Sequence, residues 1–348
     1  MKEEDTLERH LLEGSQDEAE TSYEEKVRPR TLAEMVGQNK LRENLGVFIA
    51  AAIKRKETLD HILFHGPPGL GKTSLARIVS NELSARFRAT SGPVLERAAD
   101  LSGLLSTLEE GDVLFIDEIH RLPPVVQEVL YSAMEDFKLD ILIGQGAASQ
   151  SVKLDLPRFT LVGATTRAGL LTAPMQDRFG WSARLDYYSP SDLAGVVNRT
   201  AKVLQVSIHD EAANEIAKRA RGTPRVANRL LRRVCDFALV ESEPKAVIDV
   251  RLTASALTRL DVDEVGFDSL DRALLSVLVE KFGGGPVGID TLAAALGEDR
   301  GTLEDLVEPF LIQGGFLERT SRGRKATERA RSHLGATPPL KPAQTRLL

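Results

Sequence analysis

His65-Gly66-Pro67-Pro68-Gly69-Leu70-Gly71-Lys72-Thr73-Ser74 is the stretch that decides the fold. Gly66, Gly71, Lys72 and Thr73 fit the spacing G-x-x-x-x-G-K-[ST]. Ile62-Leu63-Phe64 before it reads as a short buried strand, and Leu75, Ile78, Val79 and Leu83 after it recur at helical spacing. Strand, glycine loop and helix form the context in which this pattern binds phosphate. The glycines let the backbone curl so that its N–H groups face a phosphate chain, and the helix aims its positive end there. Lys72 is placed to reach the β- and γ-phosphates of ATP, and the Thr73 hydroxyl to ligate Mg2+. Gly69 and Ser74 complete the expected contact set of the loop.

A second stretch agrees with the first. Val113-Leu114-Phe115-Ile116-Asp117-Glu118 is four apolar residues ending in two carboxylates, a buried strand with acids at its carboxyl end. Asp117 suits Mg2+ held through water, and Glu118 suits a general base that polarises the attacking water. A third apolar run, Thr160-Leu161-Val162-Gly163-Ala164-Thr165-Thr166, ends in hydroxyls, and a polar residue there lies between the two nucleotide motifs. The order of these runs predicts an ATP hydrolase.

Composition limits the alternatives. The chain has 348 residues, enough for two or three domains, with 42% hydrophobic residues and no 18-residue apolar run to span a membrane. Cys235 is the only cysteine, which leaves no disulfide framework or cysteine metal cluster. The acidic N-terminus is unlike a secretory signal or transit peptide, so the expected location is cytoplasmic. Residues 1–25 hold ten acids against Lys2 and Arg9, a net of −8, which leaves +2 for the rest of the chain. That head reads as a disordered, solvating extension over 1–24.

Along the chain, residues 27–38 lead into a helix expected over 40–54, and Val27 and Arg28 could line an adenine pocket or simply open the domain. A helix over 125–134 ends at Glu135-Asp136-Phe137. A hairpin follows, with Leu139, Ile141 and Ile143 alternating with polar residues, as do Val152, Leu154 and Leu156. Its tip, Gly144 to Ser149, carries no positive charge, which favours protein docking over DNA probing, or packing on its own domain. Arg178 lies twelve residues beyond Thr166 and suits an arginine finger, since a permanently charged planar guanidinium matches developing phosphoryl charge. A structural ion pair is the competing reading. From Tyr188 the pattern is wholly helical, and Gly222-Thr223-Pro224-Arg225 starts a long helix with Arg225 placed for a phosphate.

The last third, from about Phe267, reads as a winged helix. Its third helix is acidic: residues 298–308 hold Glu298, Asp299, Glu304, Asp305 and Glu308 against Arg300. Such a helix is ill suited to a major groove. The hairpin after it carries Arg319, Arg322, Arg324 and Lys325 around a glycine, so phosphate contacts without sequence reading are expected from this wing. A solvated basic loop is the alternative.

With these residues assembled, the chain resembles the RuvB family of bacterial branch-migration ATPases, within the AAA+ class, over about residues 27–335. The specific stretches are residues 65–73, Asp117-Glu118-Ile119-His120-Arg121-Leu122, Gly163-Ala164-Thr165-Thr166-Arg167-Ala168-Gly169, Asp177-Arg178-Phe179-Gly180, Arg221-Gly222-Thr223-Pro224-Arg225 and Arg319-Thr320-Ser321-Arg322-Gly323-Arg324. The resemblance implies an α/β P-loop AAA+ core over 25–187, a small helical lid over 188–262, a winged-helix DNA-binding domain over 263–336 and a flexible tail over 337–348. It implies homohexameric rings around the duplex arms of a Holliday junction, with RuvA docked on the 139–156 hairpin and RuvC joining in a resolvasome. By residue, it implies phosphate binding at Lys72, Mg2+ at Thr73 and Asp117, catalysis at Glu118, and a first sensor at Thr166. Arg178 would be the finger completing a neighbour's site and Arg225 the second sensor. Val27, Arg28, Tyr188 and the Glu135-Asp136-Phe137 segment would contact nucleotide. Ser74 follows Thr73 where many members repeat threonine, which keeps the hydroxyl. A protein remodeller and a non-hydrolysing scaffold are the other classes; the wing arginines weigh against the first, and intact Lys72, Asp117, Glu118 and Arg178 against the second.

Overall fold

Continuous apolar strands without polar alternation call for a sheet covered on both faces. The computed structural model, which describes residues 18–143, 150–241 and 247–335, has that sheet. Its strands are β1 (Ile62–His65), β2 (Phe87–Ser91), β3 (Val113–Asp117), β6 (Thr160–Thr165) and β7 (Trp181–Arg184), while β4 (Lys138–Ile143) and β5 (Gln150–Asp155) form a separate hairpin. The sheet order is β2-β3-β6-β1-β7 and every pairing is parallel. All five carboxyl ends therefore share one edge, where open α/β sheets bind ligands.

The chain divides into two compact units, the first built from residues 18–205 and 222–228. Its helices are α1 (Glu18–Val27), α2 (Asn39–Arg55), α3 (Lys72–Glu82), α4 (Ala98–Leu105), α5 (Pro124–Glu135), α6 (Ala173–Asp177) and α7 (Pro190–Leu204). Helix α5 shows why these segments fold as they do. Pro124 suits a first turn, and Val126, Leu130, Ala133 and Met134 form one apolar face that is buried. That face meets Leu101, Leu105, Leu114, Ile116 and Phe159 in a single core. Each such fully buried large side chain contributes roughly 1.5–3 kcal/mol.

The acidic head departs from expectation. It was expected to be disordered to residue 24, yet residues 18–27 are helical, with Val27 buried and the Tyr23 hydroxyl donating to Asn228 O at 3.1 Å. Residues 1–17 and the tail from 336 lie outside the described residues, as does the hairpin tip 144–149. The helices of residues 188–262 are shared between the two compact units. Tyr188 N–H donates to Gly222 O at 2.9 Å and Thr200 Oγ1 to Asn228 Oδ1 at 2.8 Å, tying α7 and residues 222–228 to the first unit.

The second unit holds residues 206–221 and 229–335. It contains α8 (Asp210–Arg219), most of α9 (Pro224–Glu241), α10 (Val250–Arg259) and α11 (Ser269–Ser276), the last extended by a π-helical turn, Val277–Lys281. Helix α12 (Ile289–Leu296) follows, then a helical run over 300–313, strands β8 (Leu317–Thr320) and β9 (Gly323–Ala326), and α13 (Glu328–His333). Phe267 is fully buried at its centre, edge-on to Phe316 at 4.7 Å and to His333 at 4.8 Å. Three helices followed by a two-stranded wing are what the last third of the sequence predicts. Among the described residues no helix is long and apolar enough to cross a membrane.

Candidate functional site

The glycine loop joins the carboxyl end of β1 to α3, whose first residue is Lys72. No side chain caps that helix, because Gly71 sits at its N-cap with φ 97°. Its first N–H groups thus stay available for an anion. Gly69, at φ 77°, is needed for a second reason. A Cβ there would lie 3.3 Å from Arg225 Cβ and 3.4 Å from Thr223 Cβ, so a larger residue would crowd residues 222–228 where they close on the loop. Arg225 N–H donates to Gly69 O at 3.3 Å.

Lys72 is 7% exposed, and its ammonium donates to Gly66 O and Pro67 O, both at 2.9 Å. Burial pulls its pKa down to about 8, with Asp117 and Glu118 opposing the shift and Arg225 adding to it. A buried cation leaning on two neutral carbonyls gains from an incoming polyanion. Asp117 and Glu118 close the neighbouring strand β3, and Asp117 Oδ1 accepts the Glu118 N–H at 2.9 Å. Glu118 adopts φ 48°, a costly conformation for a residue with a Cβ, and one that aims its carboxylate out of the strand line.

The Glu118 carboxylate is held on two sides. Thr166 Oγ1 donates to its Oε2 at 3.3 Å, and His120 Nδ1 lies 3.4 Å from the same oxygen. Thr165, fully buried at the end of β6, is bonded to His120 Nδ1 at 2.9 Å. Sequence alone assigns His120 and Thr165 no role. The signal was present, since both sit at carboxyl ends of adjacent strands. Lys72, Thr73, Asp117, Glu118 and Thr166 thus share one edge of the sheet. Among the described residues no group of three or more His, Cys, Asp or Glu forms a ready metal cage. Mg2+ usually binds through one or two carboxylates with substrate phosphates and water. Thr73 and Asp117 are the residues that would hold it, and the bound ion would neutralise phosphate charge.

The expected nucleotide-lining residues fall at the same edge. Tyr188 is buried, its hydroxyl donates to Leu70 O at 3.4 Å, and burial raises its pKa. Val27 is buried at the end of α1, with its carbonyl accepting from Arg199 at 2.7 Å. Arg28 follows it, with its pKa lowered by burial and by Arg77.

Arg178 is elsewhere. It follows α6 and precedes β7, so it lies where strands begin, opposite the glycine loop of its own chain. There it borders a cavity of about 880 Å³ lined also by His61, Met134, Phe137 and Arg158. Glu135 Oε2 accepts from Arg178 at 2.5 Å, Pro174 O accepts at 2.9 Å, and Tyr131 lies beneath the guanidinium at 5.1 Å. Of the expected nucleotide contacts, Glu135 and Phe137 share this distal edge, and Asp136 lies between them in sequence. Phe137 packs edge-on to Phe159 at 5.7 Å under Arg158. The structure does not bring Glu135, Asp136, Phe137 or Arg178 to the glycine loop of the same chain.

The wing requires a correction. Arg319 and Arg322 are exposed on the hairpin, but Arg324, expected to contact DNA, is buried. Its guanidinium forms a two-pronged ion pair with Glu308, itself 1% exposed, and reaches Glu304 Oε1 at 3.0 Å. The acids that make the third helix unfit for a groove are in part counter-ions for this arginine. Arg324→Ala or Glu308→Ala is therefore expected to destabilise the second unit by roughly 3–5 kcal/mol, since either leaves a buried charge unpaired. A fall in the unfolding midpoint of the purified variant checks this; a midpoint at the wild-type value would return Arg324 to the surface.

Glycine loop, acidic strand and a threonine hydroxyl on the Glu118 carboxylate, on a β2-β3-β6-β1-β7 sheet, define a P-loop ATPase of the AAA+ class, in a chain that ends in a winged helix. Comparison with known families is specific. Residues 27–185 match the Holliday junction DNA helicase RuvB P-loop domain, 188–263 the RuvB AAA lid domain, and 264–335 the RuvB C-terminal winged helix domain. The structure of the Thermotoga maritima RuvB Holliday junction branch migration motor is similar at 45% identity and a TM-score of 0.81, covering 90% of this chain and 100% of that one. A single lysine-to-arginine variant of Thermotoga maritima RuvB is similar at 46% identity and a TM-score of 0.82, over 90% of this chain and 99% of that one. The chain belongs to the RuvB family.

Proposed function

We propose that this protein is an ATP-driven motor that forms hexameric rings around duplex DNA and drives branch migration of Holliday junctions with RuvA, in recombination and DNA repair in the cytoplasm. The observation that carries the reading is the split of the catalytic set. Lys72, Asp117, Glu118 and Thr166 meet at one edge of the sheet while Arg178 stands at the other. A chain so arranged completes a site only against a second copy, which supports a ring. Glu118 takes the proton of the attacking water, Lys72 and the loop N–H groups hold the phosphates, and Arg225 reaches them from residues 222–228. ATP with Mg2+ supplies the phosphoryl group that is transferred to water.

The β4–β5 hairpin is the proposed RuvA dock. Its strands pair in register from Lys138↔Asp155 to Ile143↔Gln150, and Leu139 and Leu156 root it in the core. RuvC would join the same junction. On DNA, Arg319 and Arg322 are the wing contacts. Arg319→Ala with Arg322→Ala is expected to weaken duplex binding alike for unrelated sequences and to lower the salt slope by about one per lost contact. A sequence-selective loss would contradict backbone reading.

The deciding experiment follows a synthetic four-way junction with purified protein, ATP and RuvA. Junction processing that requires both is the expected result. ATP hydrolysis indifferent to DNA, without junction processing, would favour the protein-remodeller reading.

A further inference from the structure

The acidic N-terminal helix α1 is absorbed neither by the sheet nor by the proposed reaction, yet its carboxylates touch nucleotide-site arginines. Glu24 Oε1 lies 3.4 Å from Arg225 Nε, and Glu24 Oε2 lies 3.6 Å from an Arg28 terminal nitrogen. The Glu24 side chain is 18% exposed. One residue on, Glu25 Oε1 lies 3.4 Å from Arg77. Burial, Arg77 and Arg225 depress the Arg28 pKa while Glu24 and Glu25 oppose the shift, and Arg225 adds to the burial that depresses Lys72. Four cations thus crowd the loop, and Glu24 is the carboxylate shared by two of them. All of these contacts lie within the first compact unit.

We propose that Glu24 is a positioning residue that holds Arg225 and Arg28 as a tethered counter-ion, and that ATP must displace it. This rests on the reading of Arg225 and Arg28 as nucleotide contacts. The sign follows from charge. A carboxylate that stabilises the arginines while they have no phosphate becomes a like charge beside a triphosphate when one arrives. Phosphate oxygens are the stronger partners for a guanidinium, so the exchange runs toward nucleotide. The latched population lowers the apparent affinity by the fraction of molecules whose arginines are engaged. Helix α1 thereby sets how readily the site loads.

The test is equilibrium binding of a non-hydrolysable ATP analogue with Mg2+ to the full chain. Glu24→Gln is expected to bind about two- to fivefold tighter, the range of a partly exposed ion pair. Glu25→Gln is the control: its carboxylate pairs with Arg77 and acts on Arg28 only through space, so it should tighten binding less than Glu24→Gln. Unchanged or weaker binding by Glu24→Gln would overturn the proposal, and equal tightening by Glu25→Gln would reduce it to general acidity. A purely structural role for Glu24 would lower the unfolding midpoint without tightening binding. Arg225→Ala separates the two levels. If it binds like wild type, the nucleotide reading of Arg225 has failed; if it binds weakly while Glu24→Gln does not tighten, only the latch has failed.

Discussion

Glu118→Gln subunits are expected to bind ATP as wild type does and to hydrolyse it at least ~100-fold more slowly, the lower end of what a positioned base contributes. The substitution keeps size and keeps an acceptor for the Thr166 hydroxyl, which now donates at 3.3 Å. What it removes is the basicity that takes a proton from water. On the proposed roles, phosphate binding does not pass through this side chain, because it falls to Lys72 and the loop. Nucleotide affinity and phosphate release should therefore separate cleanly when measured on one preparation. Turnover near the wild-type rate would move the base elsewhere, with Asp117 next in line. Loss of binding together with turnover would mean that Glu118 shapes the loop rather than the chemistry. His120 refines the prediction. Because it shares the Glu118 Oε2 and bonds Thr165, His120→Ala should lower turnover less than Glu118→Gln, by loosening the carboxylate rather than removing it.

The site was legible where local sequence dictates local geometry. Glycine spacing requires a curled loop, and an apolar run ending in two acids requires a buried strand that stops at an edge. Both rules place Lys72, Asp117 and Glu118 at one sheet edge from sequence alone. Arg324 shows the limit. Counting arginines along a hairpin cannot say which face each occupies, and burial here depends on Glu304 and Glu308, brought in from the preceding helix. Strand period offered a partial signal, since residues 324 and 326 share a face and Ala326 is buried too. Glu24 was hidden differently. Ten acids in a row of polar residues read as solvated charge, and composition outweighed a local pattern. The pattern was Glu24 four residues before Arg28, with Tyr23 and Val27 on one stripe, which is helix chemistry. His120 and Tyr131 act through partners 45 and 41 residues away along the chain, and no spacing announces such contacts.

Arg178→Ala subunits are expected to lose ATP hydrolysis by about a thousandfold, the lower end of an arginine finger's contribution, and to regain part of it when mixed with equally inactive Lys72→Ala subunits. Arg178 sits between α6 and β7, at the edge where strands begin, and the glycine loop leaves β1 at the edge where strands end. A four-residue strand at ~3.3 Å per residue separates those edges by roughly 13 Å, beyond what one side chain spans. If this guanidinium serves a phosphate, another copy must present it. Its surroundings hold it ready for that. Tyr131 lies under its plane, with its own hydroxyl bonded to Thr172 at 2.8 Å, and Glu135 and Pro174 O fix two of its nitrogens. The buried Arg178 Nε has no hydrogen-bond partner among the described residues. In a mixed population, an Arg178→Ala subunit with an intact loop can meet a Lys72→Ala subunit with an intact finger, and that junction has a complete set. Phosphate release plotted against mixing ratio at constant total protein should vanish at both ends and peak between them. A flat line at zero, with ring assembly shown to be normal, would confine Arg178 to its pair with Glu135.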